Sequence, residues 1–118
     1  MEETFARLRD LMLANAPQMV VAGDSPGDLV LHAPWANPRK PKEAMWFGGV
    51  MLKKNYVSFH LMPVYSEAAL AAAVPDLLRK RMQGKSCFNF KTLDNAQAVA
   101  LAALTESAAK AYATPIGG

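Results

Sequence analysis

The chain has 118 residues, 52% of them hydrophobic and 19% charged, and 13 Lys+Arg against 10 Asp+Glu give a formal charge of +3. That length suits a single domain, 1–118, with one core, and that composition excludes a disordered chain. The small positive excess favours anionic partners but falls short of a dedicated nucleic-acid binder, and one cysteine, Cys87, excludes an internal disulfide and suits a reducing, cytoplasmic setting. The opening MEETFARLRD has no signal-type apolar run, and the longest apolar stretch, AALAAAV, is far too short to span a bilayer, so no membrane partner is expected.

Phe5, Leu8 and Met12, with Leu11 beside them, place one apolar stripe on a first helix that ends before Pro17. QMVVAGDSPGDLVLHA reads as two short strands around a GDSPG turn. PWANPRKPK, rich in prolines and cations, reads as a long exposed loop. EAMWFGGVML and NYVSFHLMPVY read as two longer strands joined at Lys53, Lys54 and Asn55, with Pro63 near the end of the second, which completes a four-stranded antiparallel meander. SEAALAAAV predicts a helix, and PDLLRKRMQG a second one that starts at Pro75 and stops at Gly84. SCFNF alternates as a further strand, and Asp94 with Gln97 forms a capping-box signature ahead of a last helix carrying Leu101, Leu104, Ala108 and Ala111 on one face. The fold expected is α+β: an antiparallel sheet of about five strands with helices packed on one face, in the order α-β-β-β-β-α-α-β-α.

Alternation along KKNYVSFHLMPVY puts Val57, Phe59 and Leu61 on one face and Tyr56, Ser58, His60 and Met62 on the other. On the preceding strand Trp46, Gly48, Val50 and Leu52 share the first face, and Phe47, Gly49 and Met51 the second. A turn at Lys54–Asn55 sets Gly49 opposite His60 and leaves a shallow pocket beside the imidazole, so Tyr56, Ser58, His60 and Gly49 form one candidate ligand-binding face. The competing reading is a sheet face partly covered by a helix, with Tyr56 and His60 satisfying each other or the backbone. A second candidate is the cation cluster Arg79, Lys80, Arg81 and Lys85, an anion site or simply a solvated helix C-terminus favoured by its dipole. Cys87 and His60 offer a nucleophile and a base, but no third group or oxyanion-hole glycine pattern accompanies them, and Ser58 lacks a G-x-S-x-G context. Two histidines, one cysteine and scattered carboxylates show no metal-ligand spacing, so no catalytic residue, metal site or cofactor is assigned.

The run KKNYVSFHLMPVY followed by PDLLRKRMQGKSCFNF, with MWFGGVMLKK in front of it, resembles the YdhG-like family of small bacterial domains of unknown function. The resemblance implies an α+β domain with a curved antiparallel sheet backed by helices, frataxin-like in outline, and some relatives are described as intracellular iron chaperones. Iron binding of that type relies on clustered acidic side chains on the first helix and the neighbouring sheet edge, where this first helix carries only Glu2, Glu3 and Asp10. The leading functional expectation is a non-enzymatic binding or adaptor domain for a small ligand, an anion or a protein partner, a second copy of the chain included. The alternatives are an iron-binding chaperone of frataxin type and a small enzyme using His60 with Cys87 or Tyr56.

Overall fold

The N-terminal stripe folds as α1 (Glu2–Asn15), and in the computed structural model, which describes residues 1–115, Phe5, Leu8 and Met12 are buried beneath it. Four strands follow, β1 (Val20–Ser25), β2 (Asp28–Asn37), β3 (Lys40–Leu52) and β4 (Val57–Leu61), and then three short helices, α2 (Met62–Ser66), α3 (Ala68–Ala73) and α4 (Asp76–Arg79). Strands β5 (Met82–Gln83) and β6 (Cys87–Phe90) lead into the long α5 (Asn95–Ala111). All six strands form one antiparallel sheet in the order β1-β2-β3-β4-β6-β5, with the helices on one side. The α+β class therefore holds, with six strands where about five were expected and with one more helix.

The core lies between sheet and helices. Leu29 and Leu31 of β2, Val57, Phe59 and Leu61 of β4, and Phe88 and Phe90 of β6 meet α1 and the Leu101, Leu104 and Ala108 face of α5. Each large apolar side chain removed from water contributes about 1.5–3 kcal/mol, which is what binds α1 and α5 to the sheet. Tyr112, just past α5, is fully buried: its ring packs against Trp35 and Phe47, and its hydroxyl shares a 2.7 Å hydrogen bond with Ser66 Oγ. The capping box forms as expected, Gln97 N–H donating to Asp94 Oδ1 at 2.7 Å and Asp94 N–H to Gln97 Oε1 at 3.0 Å.

Four local expectations are corrected. PWANPRKPK is not a loop but the end of β2, a turn at Pro38–Arg39 and the start of β3, with Asn37 opposite Lys40. The ladder loses regularity between His32 and Asn37, where prolines cost no regular pairing. Trp35 anchors this arm by donating its indole N–H to the Tyr112 carbonyl at 2.7 Å. Met62–Ser66 leaves the strand and turns helical, because Pro63 at the start of a helix has no N–H to lose and a φ already suited to it. The segment after Pro75 keeps only four helical residues before bending into β5, and Gly84, at φ 77°, serves the β5–β6 turn rather than a helix end. Finally, the β2–β3 register slips so that Leu31 faces Gly48 and His32 faces Trp46. This bulge inverts the alternation: Phe47 enters the core and Trp46 joins the outer face, the reverse of the predicted assignment.

Candidate functional site

Pairing of β4 with β6 sets Ser58 against Asn89 and His60 against Cys87 on the helix-free face of the sheet. At one end of this face the chain builds a cleft of about 270 Å³ from Tyr56, Arg81, Asn89, Lys91, Thr92 and Gln97. Five segments supply these residues, and those carrying Arg81, Asn89, Lys91, Thr92 and Gln97 are held by identifiable bonds. Arg81 sits between α4 and β5, where its carbonyl accepts the Asn89 N–H at 2.8 Å. The loop carrying Lys91 and Thr92 is tied to α1 twice, by Thr4 Oγ1 donating to the Lys91 carbonyl at 3.0 Å and Arg7 Nη1 donating to the Leu93 carbonyl at 2.6 Å. Gln97 is fixed by the capping box of α5.

Every one of the six side chains offers a hydrogen-bond donor and none is a carboxylate. The two amides are oriented by their oxygens: Asn89 Oδ1 accepts the Cys87 thiol at 3.4 Å, and Gln97 Oε1 accepts the Asp94 N–H. That leaves their NH₂ groups without a hydrogen-bond partner among the described residues, in a cleft that the Tyr56 and Thr92 side chains also line. Arg81 and Lys91 take part in no ion pair among the described residues. Such a lining is chemically suited to an anion with several acceptor oxygens.

The remaining predicted residues are dispersed. Gly49 lies opposite His60 in the expected register, and the Trp46 ring packs beside the imidazole with the two ring centroids 5.5 Å apart. A side chain at Gly49 would be driven into the Leu29 carbonyl oxygen, so this glycine serves the close approach of β2 and β3. Ser58 is only 2% exposed, and its Oγ has no hydrogen-bond partner. The cations separate into three roles. Arg79 closes the C-terminus of α3, donating Nε to the Val74 carbonyl at 2.9 Å and Nη2 to the Ala71 carbonyl at 3.0 Å. Arg81 faces the donor-lined cleft, and Lys85 lies 5.8 Å above the Tyr65 ring.

Burial lowers the pKa of His60, with the positive field of Lys53 adding to it, and burial raises that of the Cys87 thiol. Both shifts favour a neutral imidazole beside a protonated thiol, the opposite of an activated thiolate–imidazolium pair. Among the described residues no group of three or more His, Cys, Asp and Glu side chains gathers closely enough to hold a metal ion. No helix among the described residues is long and apolar enough to cross a membrane.

Asn89, Lys91, Thr92 and Gln97 were not singled out from the sequence. Asn89 carried a faint signal, as the polar alternate within SCFNF, whereas Gln97 was already explained as a helix cap. Compared with protein-family models, curated proteins and solved structures, the chain matches none.

Proposed function

We propose that this is a non-enzymatic binding domain that takes a small anion in the cleft between β4, β6 and the start of α5. The observation that carries this reading is the lining itself: two cations without ion-pair partners among the described residues, two amides with their NH₂ groups left over, and two hydroxyls, with no carboxylate. The cleft volume lies just below the range typical of drug-sized ligands, which favours a compact phosphate, sulfate or carboxylate bearer over an extended chain. A free, half-buried thiol with no second cysteine favours a cytoplasmic location for that work. The YdhG-like resemblance is compatible with this reading, since most members of that family have no established activity.

The test is an NMR titration with inorganic phosphate at low ionic strength. Saturable shifts are expected in the amide signals of Asn89, Thr92 and Gln97, with affinity falling about tenfold or more in Arg81→Glu or Lys91→Glu, the loss of a charge-assisted hydrogen bond. Added salt should weaken binding. Shifts that persist unchanged in both variants, or that arise elsewhere, would reject the cleft as the anion site.

A further inference from the structure

A larger recess lies on another part of the molecule. The tip of the β2–β3 hairpin and α2 enclose a cleft of about 530 Å³, within the size range of organic-ligand sites. Its lining is unlike that of the anion cleft. Met45 from β3 and Met62 from α2, both half-buried against the core, and Tyr65, 58% exposed, supply apolar and polarizable surface. Arg39 stands in the same lining, its position set by the hairpin turn, where Asn37 Oδ1 accepts the Arg39 backbone N–H at 2.9 Å. Lys85 approaches from β5–β6 over the face of Tyr65. Neither cation has an ion-pair partner among the described residues, and no carboxylate lines the recess.

The Ser66 hydroxyl belongs to a different task, since it is engaged by Tyr112, which ties α2 to the end of α5. One wall is therefore held to the core, and the other is the hairpin arm anchored by Trp35. Methionine thioethers and an exposed phenol ring fit an apolar body of variable shape, Arg39 in the lining fits one negative end group, and Lys85 over the Tyr65 ring adds positive charge next to the cleft. We propose that this cleft binds a small amphipathic carboxylate, an alkyl or aryl chain seated on Met45, Met62 and Tyr65 with its carboxylate at Arg39, in the positive field that Lys85 adds over Tyr65. The site is separate from the anion cleft, and the proposal does not depend on it.

The experiment follows the methionine methyl groups by carbon–proton NMR in the full chain, with octanoate as the probe and 1-octanol as its uncharged counterpart. Octanoate is expected to shift the Met45 and Met62 methyl signals saturably, leaving the core methyls of Met12 and Met19 in place. Arg39→Glu, on an exposed turn where folding is not at risk, should weaken octanoate binding about tenfold or more, as loss of a charge-assisted bond implies, without changing the response to octanol. Lys85→Glu should act in the same direction. No shift at Met45 and Met62, equal affinity for octanol and octanoate, or binding untouched by both charge reversals would each overturn the proposal. Because inorganic phosphate reports on Asn89, Thr92 and Gln97, failure at either cleft is read separately from failure at the other.

Discussion

β4 presents two surfaces made from the same few residues of backbone. Val57, Phe59 and Leu61 face the helices and are wholly buried, whereas Ser58 and His60, with Tyr56 just before them, face the side that no helix covers. Burial on the first side is bulk exclusion of water by α1 and α5. On the second it is local: Ser58 is nearly as buried as Phe59, yet it is flanked by Met51 and Asn89 on the neighbouring strands rather than by a helix. The inner face thus carries stability, and the outer face is free to carry polar groups whose partners are incomplete.

The comparison breaks most visibly at Phe59. Phe59→Ala removes a ring from the middle of the core and should destabilise the domain by about 3–5 kcal/mol, measured by urea unfolding. A loss below about 1 kcal/mol would mean that the inner face is not the stabilising one.

A smaller effect is expected from His60. Its folded-state pKa lies below the ordinary 6.5, so the unfolded chain takes up a proton before the folded one does as the pH falls. The stability this group contributes is fully present above about pH 6.5 and is lost as the pH drops toward the folded value. The melting temperature should therefore fall between pH 7.5 and 5.5, and His60→Gln should flatten that slope. Asp24 acts in a separate, more acidic window: the Arg9 guanidinium holds its pKa below the ordinary 3.8, so its contribution is lost only as the pH falls through and below that value. An unchanged slope in His60→Gln would assign the pH dependence elsewhere.

The smallest effect belongs to Ser58→Ala. Its hydroxyl is buried without a partner, so its removal should be neutral or stabilising by up to about 1 kcal/mol, although the position is as buried as its core neighbours. A clear destabilisation would reveal a bond at Ser58 Oγ that the structure does not show.

Period-two alternation made the inner face of β4 legible, and helical periodicity did the same for Phe5, Leu8 and Met12. The capping box at Asp94 was readable because both of its partners lie within one helical turn. Alternation failed at Trp46 and Phe47, since a single bulged position reverses every assignment on one side of it and leaves no local mark in the sequence. The proline-rich arm was misread for a related reason: the contact that organises it joins Trp35 to Tyr112, 77 residues away. Arg79, Arg81 and Lys85 looked like one basic cluster because they are close in sequence, but the turns after α3 and α4 send them to three different places.

By itself the sequence determined which residues of α1, β4 and α5 leave water, where α5 begins and which β4 side chains share a face, because these depend on periods of two and of 3.6 and on caps spanning a few residues. Only the tertiary structure decided that Tyr56, Arg81, Asn89, Lys91, Thr92 and Gln97 meet in one cleft and that Arg39 meets Tyr65 in another. Those meetings rest on strand order, on one bulge and on hydrogen bonds from α1 to the loop before α5, each a contact between segments far apart in the chain, and no local period encodes a contact of that kind.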